Sequence, residues 1–183
     1  MTDWKDYKFK DLLQEPVRNG IYKEKKYHGK GVKVVNMGEL FAYPRLTDVE
    51  MKRIDITDNE KSKVLLKNGD LIFARRSLTA EGAGKCSLVL NIKEDVTFES
   101  SIIRARINPE IANSQFIYYY FNSSYGKYLL GTILRQVAVS GITGSDLMEL
   151  TLRIPSNSCQ NVIASILGIF DDKIDLLNRQ NKT

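Results

Sequence analysis

The clearest periodic pattern in the chain lies near its C-terminus, where apolar residues recur in alternating steps of four and three. The positions are Ile163, Leu167, Phe170, Ile174 and Leu177. This spacing predicts an α-helix with an apolar seam of the coiled-coil kind. A second apolar row lies beside it, at Val162, Ile166, Ile169 and Leu176. We therefore expect one side of the helix to pack on its own domain and the other to pair with another helix. An ordinary core helix is the alternative.

A short strand precedes this helix. Leu150–Ile154 is strand-like and ends at Pro155, because proline cannot donate a hydrogen bond to a sheet. Ser156 or Asn157 can cap the helix, with Gln160 placed to reach back as in a capping box.

The rest of the chain alternates between strand-like and helix-like patterns. Trp4–Glu15 suits a short amphipathic helix that ends before Pro16, and Asn113 or Ser114 can cap a longer helix. Asn68-Gly69-Asp70 predicts a hairpin turn. Strands are predicted at residues 32–37, 64–66, 71–74, 87–92 and 101–107, the last with one polar face. These elements indicate an α+β fold with a mixed or antiparallel sheet.

An aromatic stripe marks the helix predicted after Asn113. Its members are Ile117, Tyr120, Phe121, Tyr125, Tyr128 and Leu129, at helical spacing. Such a stripe is more often part of a core, although tyrosines can also stack on nucleic-acid bases.

Composition places limits on the class of protein. The 183 residues suffice for one domain plus an extended element. The net charge of +5 permits a nucleic-acid partner without requiring one. Because Cys86 and Cys159 form no motif and the sequence shows no signal peptide or apolar membrane span, we expect a cytoplasmic protein with free thiols.

Two segments carry side chains suited to nucleic acid. Arg75-Arg76-Ser77 follow the strand at 71–74, and a glycine-containing loop leads on to Lys85. Arginine pairs with guanine through two hydrogen bonds, but an arginine pair in surface salt bridges is equally compatible with the sequence. The loop at 131–146 supplies further donors, among them Arg135, Gln136, Ser140 and Thr143. Lys30 and Lys33, beside a predicted strand, are candidates for phosphate contacts.

Catalytic interpretations find little support. Asp48, Glu50 and Lys52 are residue types found in magnesium-dependent nucleases, but a hard cation needs converging carboxylates on a rigid frame. His28 is the only histidine, so a Ser-His-Asp triad lacks a positioned base. We therefore predict neither a catalytic residue nor a metal site.

The junction between the last strand and the helix resembles the specificity subunits of type I restriction-modification systems. The matching residues are Ile154, Pro155, Gln160, Ile163, Ala164, Leu167, Asp171, Ile174, Leu177, Asn178, Arg179 and Gln180. Gly69-Asp70-x-x-Phe73-Ala74-Arg75 and Gly141-Ile142-Thr143-Gly144 are similar to two further motifs of that family. Where the family usually has a glycine soon after the arginine, this chain has Arg76-Ser77.

The resemblance implies a target recognition domain at residues 1–155 and the start of a spacer helix at 156–183. In the family, each such domain reads half of a split double-stranded DNA site and has no catalytic activity. Modification and restriction subunits carry S-adenosylmethionine, ATP and Mg²⁺, and the modification subunits methylate adenine in DNA. The expected DNA-binding residues are Lys30, Lys33, Arg75, Arg76, Ser77, Lys85, Arg135, Gln136, Ser140 and Thr143.

The seam residues would pair the helix with another, and two copies could form a homodimer that reads a palindromic bipartite site. The alternatives are a protein-interaction module that uses the helix, or a magnesium-dependent nuclease.

Overall fold

The computed structural model describes residues 4–79, 81–135 and 140–181. Its strands are β1 (Lys5–Lys8), β2 (Leu13–Asn19), β3 (His28–Val35), β4 (Arg45–Leu46), β5 (Arg53–Ile54), β6 (Asp70–Ala74), β7 (Arg76–Ser77), β8 (Cys86–Val89), β9 (Val96–Phe98), β10 (Ile102–Ile107), β11 (Ser140–Gly141) and β12 (Thr151–Ile154). Its α-helices are α1 (Met37–Ala42), α2 (Asp58–Val64), α3 (Ser114–Asn122), α4 (Ser124–Thr132), α5 (Gly144–Glu149) and α6 (Asn157–Gln180), with short 3₁₀ turns at Phe9–Leu12 and Lys25–Tyr27.

The strands form one central sheet and three smaller ones. The central sheet has the order β2-β10-β6-β8-β4 and is antiparallel except for the parallel pair β8–β4. A second sheet, β5-β3-β9, is mixed, and β1–β12 and β7–β11 are two-stranded ribbons. The predicted α+β class with a mixed or antiparallel sheet and a long C-terminal helix is confirmed.

Both faces of the central sheet are covered, which explains the apolar run in β6. Leu71 and Phe73 point into a core shared with α3, α4 and α5. Ile72 and Ala74 point into a second core, shared with α1, α2 and the three-stranded sheet. A strand buried on both faces has a continuous apolar sequence rather than an alternating one. The strand prediction at 71–74 is therefore confirmed.

The N-terminal segment forms strands rather than the predicted helix. Lys5 to Lys8 pair with β12, and the Phe9 amide donates to the Leu150 carbonyl at 2.8 Å. Phe9 then packs edge-on against Phe73 and Phe121, with ring centroids 6.2 and 5.1 Å away. Each such pair is worth about 0.5–1.5 kcal/mol beyond burial. Long-range pairing and this aromatic cluster outweigh the weak helical pattern.

Pro16, expected to follow that helix, lies inside β2. This strand is at the edge of the central sheet, with β10 on its inner side. An edge strand tolerates proline because its outward amides have no ladder partner.

The strand predicted at 64–66 is also wrong. Val64 is the last residue of α2, which Thr57 begins with a capping box to Glu60. The turn at Gly69 is real, with φ of +92°, but no strand precedes it to form a hairpin. Instead, Val64 ends α2, and Leu65 and Leu66 follow the helix and pack in the second core.

The face of β10 that was expected to be polar is buried. Arg104 is only 2% exposed, and both it and Arg106 form ion pairs with Glu15, at 2.9 and 2.7 Å. Arg106 also binds Asp70 through two hydrogen bonds of 2.8 Å. Buried charges are tolerated here because they are paired.

The predicted aromatic helix is two helices that meet at Ser123. The Ser123 hydroxyl accepts the Gly126 amide at 3.0 Å, so it caps α4 directly after α3 has ended. The break buries Phe121 but leaves Tyr125 and Tyr128 54% and 66% exposed. The core interpretation of the stripe therefore holds for α3 and is wrong for the two outer tyrosines of α4.

Candidate functional site

Two segments far apart in the sequence meet in the β7–β11 ribbon, beyond the C-terminal end of β6. Arg76 lies opposite Gly141, and Ser77 lies opposite Ser140. The resemblance assigned both segments to DNA binding, and the structure brings them together through backbone pairing. Their side chains therefore share one short platform rather than two independent loops.

Gly141 is the centre of this platform. Its amide and carbonyl exchange hydrogen bonds with Arg135, at 3.1 and 2.9 Å, and the next amide, of Ile142, donates to the Arg75 carbonyl at 3.0 Å. A Cβ at position 141 would stand 2.8 Å from the Arg75 carbonyl oxygen, closer than a real Cβ can come. Glycine is therefore required where the two segments meet.

The three arginines at the platform differ in their availability. Arg76 is exposed, and within the described residues its guanidinium has no hydrogen-bond or ion-pair partner. Arg75 is half-buried and donates to the Ser100 carbonyl at 3.2 Å. The Arg135 side chain is 65% exposed and pairs with Asp146 at 2.8 Å. An exposed pair of this kind is worth about 0–1 kcal/mol, so a ligand can displace Asp146 at little cost.

The loop after β7 presents an apolar side chain that the sequence analysis missed. Leu78 is 91% exposed beside Arg76 and Ser77. The loop is held by its own hydrogen bonds, from the Thr79 amide to the Ser77 hydroxyl at 3.2 Å and from the Gly82 amide to the Thr79 carbonyl at 3.3 Å. A single leucine in a polar, glycine-containing loop was the available signal.

Lys85 and Thr143 are engaged by the fold. The Lys85 ammonium donates to the Phe41 carbonyl at 2.9 Å and lies 5.0 Å from the Phe41 ring centroid. Burial lowers the pKa of Lys85, and the charge of Lys127 lowers it further. The Thr143 hydroxyl caps α5 by accepting the Asp146 amide at 3.1 Å.

Lys30 and Lys33 lie on β3, in the layer across the central sheet from α3–α5. The Lys33 side chain is only 12% exposed and forms ion pairs with Asp48 and Glu94 at 2.7 and 3.0 Å. These hydrogen bonds raise the pKa of Lys33. Lys30 is exposed and pairs with Asp55 at 3.1 Å. Lys33 is therefore held by the ion pairs of its own layer, and of these two lysines only Lys30 is accessible to a ligand.

The predicted DNA-binding set therefore divides into four groups. Gln136 lies outside the described residues, and Lys85 is turned toward Phe41. The β3 lysines belong to another layer. The residues that the structure brings together are Arg75, Arg76, Ser77, Arg135, Ser140 and Thr143.

The segment from Gly69 to Arg75 positions the platform. Gly69 adopts a positive φ, and Asp70 follows it with its carboxylate 1% exposed. That carboxylate accepts the Lys67 amide at 2.7 Å as well as the Arg106 guanidinium. Phe73 then enters the aromatic cluster, so the turn, the buried acid and the ring fix the point at which Arg75 leaves the sheet.

The residues proposed for a nuclease do not form a metal site. Within residues 4–79, 81–135 and 140–181, no three His, Cys, Asp or Glu side chains cluster as ligands. Asp48 is bound to Lys33, which holds the pKa of that carboxyl below its ordinary value.

Helix α6 meets its own domain through small and polar residues. Gln160, Ala164 and Gly168 are buried, and a Cβ at Gly168 would come within 2.6 Å of the Gln115 amide nitrogen. The Gln160 side chain accepts the Asn113 amide at 3.0 Å and donates to the Pro155 carbonyl at 2.8 Å. The expected capping-box role of Gln160 is wrong, because this side chain joins the starts of α3 and α6.

The apolar arc of α6 points away from the domain. In the seam, Ile163 is partly buried, while Leu167, Phe170, Ile174 and Leu177 are 37–62% exposed. The second row is 42–66% exposed, at Val162, Ile166, Ile169 and Leu176. The helix does pack one side on its domain, with Ala164 in the main core and Ile163 packed against it, but the ordinary core-helix alternative is wrong because most of the apolar arc is exposed. None of the helices in the described ranges is long and apolar enough to cross a membrane.

Comparison with known proteins shows the family of this chain. The family model for the type I restriction modification DNA specificity domain matches residues 1–183. The chain belongs to this family. It is 23% identical over 154 residues to the type I restriction enzyme EcoKI specificity subunit of Escherichia coli (strain K12), covering 83% of this chain and 32% of that subunit. This specificity domain thus spans about a third of that relative's length.

Three solved structures share the fold. The type I restriction-modification S subunit from M. genitalium aligns over 97% of this specificity domain and 41% of its own chain, at 16% identity and a TM-score of 0.66. A chain from a study of complex assembly and conformational transition in the type I R-M system aligns over 97% of this specificity domain and 40% of its own chain, at 13% identity and a TM-score of 0.70. The HsdS subunit from Thermoanaerobacter tengcongensis aligns over 97% of this specificity domain and 44% of its own chain, at 14% identity and a TM-score of 0.59.

Proposed function

We propose that this chain recognises a specific sequence in double-stranded DNA, as one target recognition domain of a type I specificity subunit. The β7–β11 ribbon carries the proposal, because it presents the exposed Arg76 and is followed directly by the exposed Leu78. A two-stranded ribbon fits the major groove of B-DNA. Arginine there can bind guanine O6 and N7, and an apolar side chain can contact the thymine methyl group.

The neighbouring groups suit phosphate contacts. Arg135 can exchange its exposed pair with Asp146 for a phosphate, and the Ser140 hydroxyl lies on the same ribbon. Contacts of this kind set the position of the protein on the duplex, while base contacts supply the sequence preference. Each phosphate neutralised contributes a slope of about −0.9 in a plot of log K against log salt.

Partner subunits complete the activity in this proposal. The chain supplies no catalytic residue; modification subunits bind S-adenosylmethionine and methylate adenine, and restriction subunits use ATP and Mg²⁺. The exposed apolar arc of α6 pairs with a second helix, either from another recognition unit or from a second copy. Antiparallel pairing of two copies gives two-fold symmetry and a palindromic bipartite site.

Selection of bound duplexes from a randomised pool tests the proposal, with the chain alone and with a modification subunit. We expect a short motif to be enriched. Arg76→Ala should lower affinity for that motif by about 1–3 kcal/mol and relax one of its positions. Leu78→Ala should weaken the preference for thymine at one position, and its folding stability should be unchanged because the side chain is almost fully exposed.

Arg153→Ala is the matched control. It removes an exposed arginine of equal charge from β12, outside the ribbon. We expect the same motif and the same relaxed positions as in the wild-type protein. Equal effects of Arg76→Ala and Arg153→Ala would contradict the assignment of base contacts to the ribbon. No enrichment under either condition would overturn DNA recognition and leave the α6 arc as the functional surface.

A further inference from the structure

Helix α6 is attached to its domain at two places. The first is its base, where Gln160 bonds to α3 and to Pro155, and where Ala164 and Gly168 pack closely. Beyond Gly168 the domain-facing side of the helix becomes acidic, with Asp171, Asp172 and Asp175. A cation on the opposing surface is therefore needed to hold this second part of the helix.

Arg45 of β4 supplies that cation. Its guanidinium donates to Asp172 at 2.7 Å and to Asp175, and it lies 3.9 Å from the Asp171 carboxylate. Asp171 also accepts the Tyr119 hydroxyl, at 2.7 Å. Burial alone would lower the pKa of Arg45, but the hydrogen bonds to Asp175 and Asp172 outweigh it and raise the pKa above its ordinary range.

The two ends of this contact, which we call the Arg45 clamp, belong to different bodies. Arg45 is mounted on the central sheet, because β4 pairs with β8 and the next residue, Leu46, is fully buried. The three aspartates belong to the helix. The Arg45 side chain is only 13% exposed, whereas the Asp171, Asp172 and Asp175 side chains are 31%, 76% and 54% exposed, so solvent reaches the acidic side of the clamp.

Without the clamp, a small tilt of α6 at its base would displace the far end of the helix. Gln160 and Asp175 are about 22 Å apart along the helix axis, at a rise of about 1.5 Å per residue. With Gly168 as the last contact of the base, about 18 Å of helix extends to Gln180, so a tilt of about 10° would move the helix there by about 3 Å. That displacement is close to the rise of about 3.4 Å between successive base pairs of DNA.

We propose that Arg45 is a positioning residue that fixes the direction of α6, and with it the spacing between the two DNA half-sites read by the assembled protein. The statement about spacing rests on the proposed function, whereas the statement about helix direction does not. In the described part of the chain, the hydrogen bonds and ion pairs of the Arg45 side chain go to α6 and not to the β7–β11 ribbon, so it acts on the separation of the half-sites and leaves their sequences unchanged.

Pulsed electron paramagnetic resonance on the whole chain tests the helix direction. Nitroxide labels are placed at Lys52→Cys on the sheet side and Lys173→Cys on the helix, with Cys159→Ser as background. We expect one narrow distance distribution for the wild-type clamp and a broader or shifted one for Arg45→Ala. Arg45→Lys should lie between them, because lysine keeps the charge but loses the planar fork. Arg153→Ala, which removes an exposed arginine from β12, should leave the distribution unchanged.

A pool with two copies of the half-site at varied separations tests the effect on DNA. We expect Arg45→Ala to broaden or move the preferred separation by at least one base pair and to keep the half-site sequence. An unchanged distance distribution in Arg45→Ala would overturn the positioning role. A changed distribution with an unchanged preferred separation would overturn its consequence for DNA. If the wild-type protein selects no motif, the proposed function fails, while the distances still decide the role of Arg45.

Discussion

Asp70→Asn should show how far the stability of the domain depends on the pairing of this acid with the buried arginines. The carboxylate is 1% exposed and accepts two hydrogen bonds of 2.8 Å from Arg106 and one of 2.7 Å from the Lys67 amide. Asparagine has nearly the same shape but no charge, so Arg104 and Arg106 would share Glu15 as their only acidic partner in the described network.

The loss can be estimated from this arrangement. Breaking a buried ion pair by removing one partner costs about 3–5 kcal/mol. Because Arg106 keeps its contact with Glu15, we expect the lower end, about 3 kcal/mol. For a domain of this size each kcal/mol lowers the melting temperature by about 2–4 °C, so Asp70→Asn should melt about 6–12 °C below the wild-type protein.

Thermal unfolding followed by circular dichroism measures this loss. Asp95→Asn is the control, because its side chain is 55% exposed and its ion pair with Lys61 is 4.0 Å long. The control should stay within about 0.5 kcal/mol of the wild-type stability. Equal melting temperatures for Asp70→Asn and Asp95→Asn would refute the view that the buried arginines depend on Asp70.

Two further predictions concern acid stability and the platform. Lys33 lowers the pKa of Asp48 and of Glu94 below their ordinary values of 3.8 and 4.5, so their stabilising contribution is present above those values and is lost as the pH falls further. In urea unfolding at several pH values, the free energy of unfolding of Lys33→Met should fall less steeply with decreasing pH than that of the wild-type protein. An equally steep fall in both proteins would contradict the pairing. Gly141→Ala should cost about 1–3 kcal/mol and reduce DNA affinity, because its Cβ would meet the Arg75 carbonyl. Gly131→Ala, with no described atom within 4 Å of its Cβ, should leave both stability and affinity at least equal to wild type, and similar losses in the two variants would contradict the close-approach argument.

The elements that could be predicted from the sequence are those whose signal is local. The apolar strand β6, the strand before Pro155 and the helix α6 have unambiguous patterns, and the structure contains all three. The helix predicted at Trp4–Glu15 was wrong because β1 is stabilised by partners almost 150 residues away, which a local pattern does not reveal. The break at Ser123 did have a local signal, a hydroxyl in position to cap a second helix.

The candidate site was predictable in its residue types but not in its geometry. Arginines after a buried strand marked Arg75 and Arg76, and the glycine-rich loop marked Gly141. Their backbone pairing depends on the meeting of two distant segments and could not be deduced from either one. The neutralisation of Lys33 by Asp48 and Glu94 is of the same kind, since a lysine cluster in the sequence does not show which acids will face it.

The pairing of β1 with β12 has a consequence for how such a protein can diversify. Lys5 lies opposite Ile154, so the chain enters the domain beside the point where it leaves for α6. The Arg45 clamp and Gln160 then fasten the helix to surfaces that do not include the β7–β11 ribbon. A domain whose first and last strands are paired in this way can be exchanged as one unit. The loops that we propose to face DNA can then be replaced by recombination or by design without a change in α6.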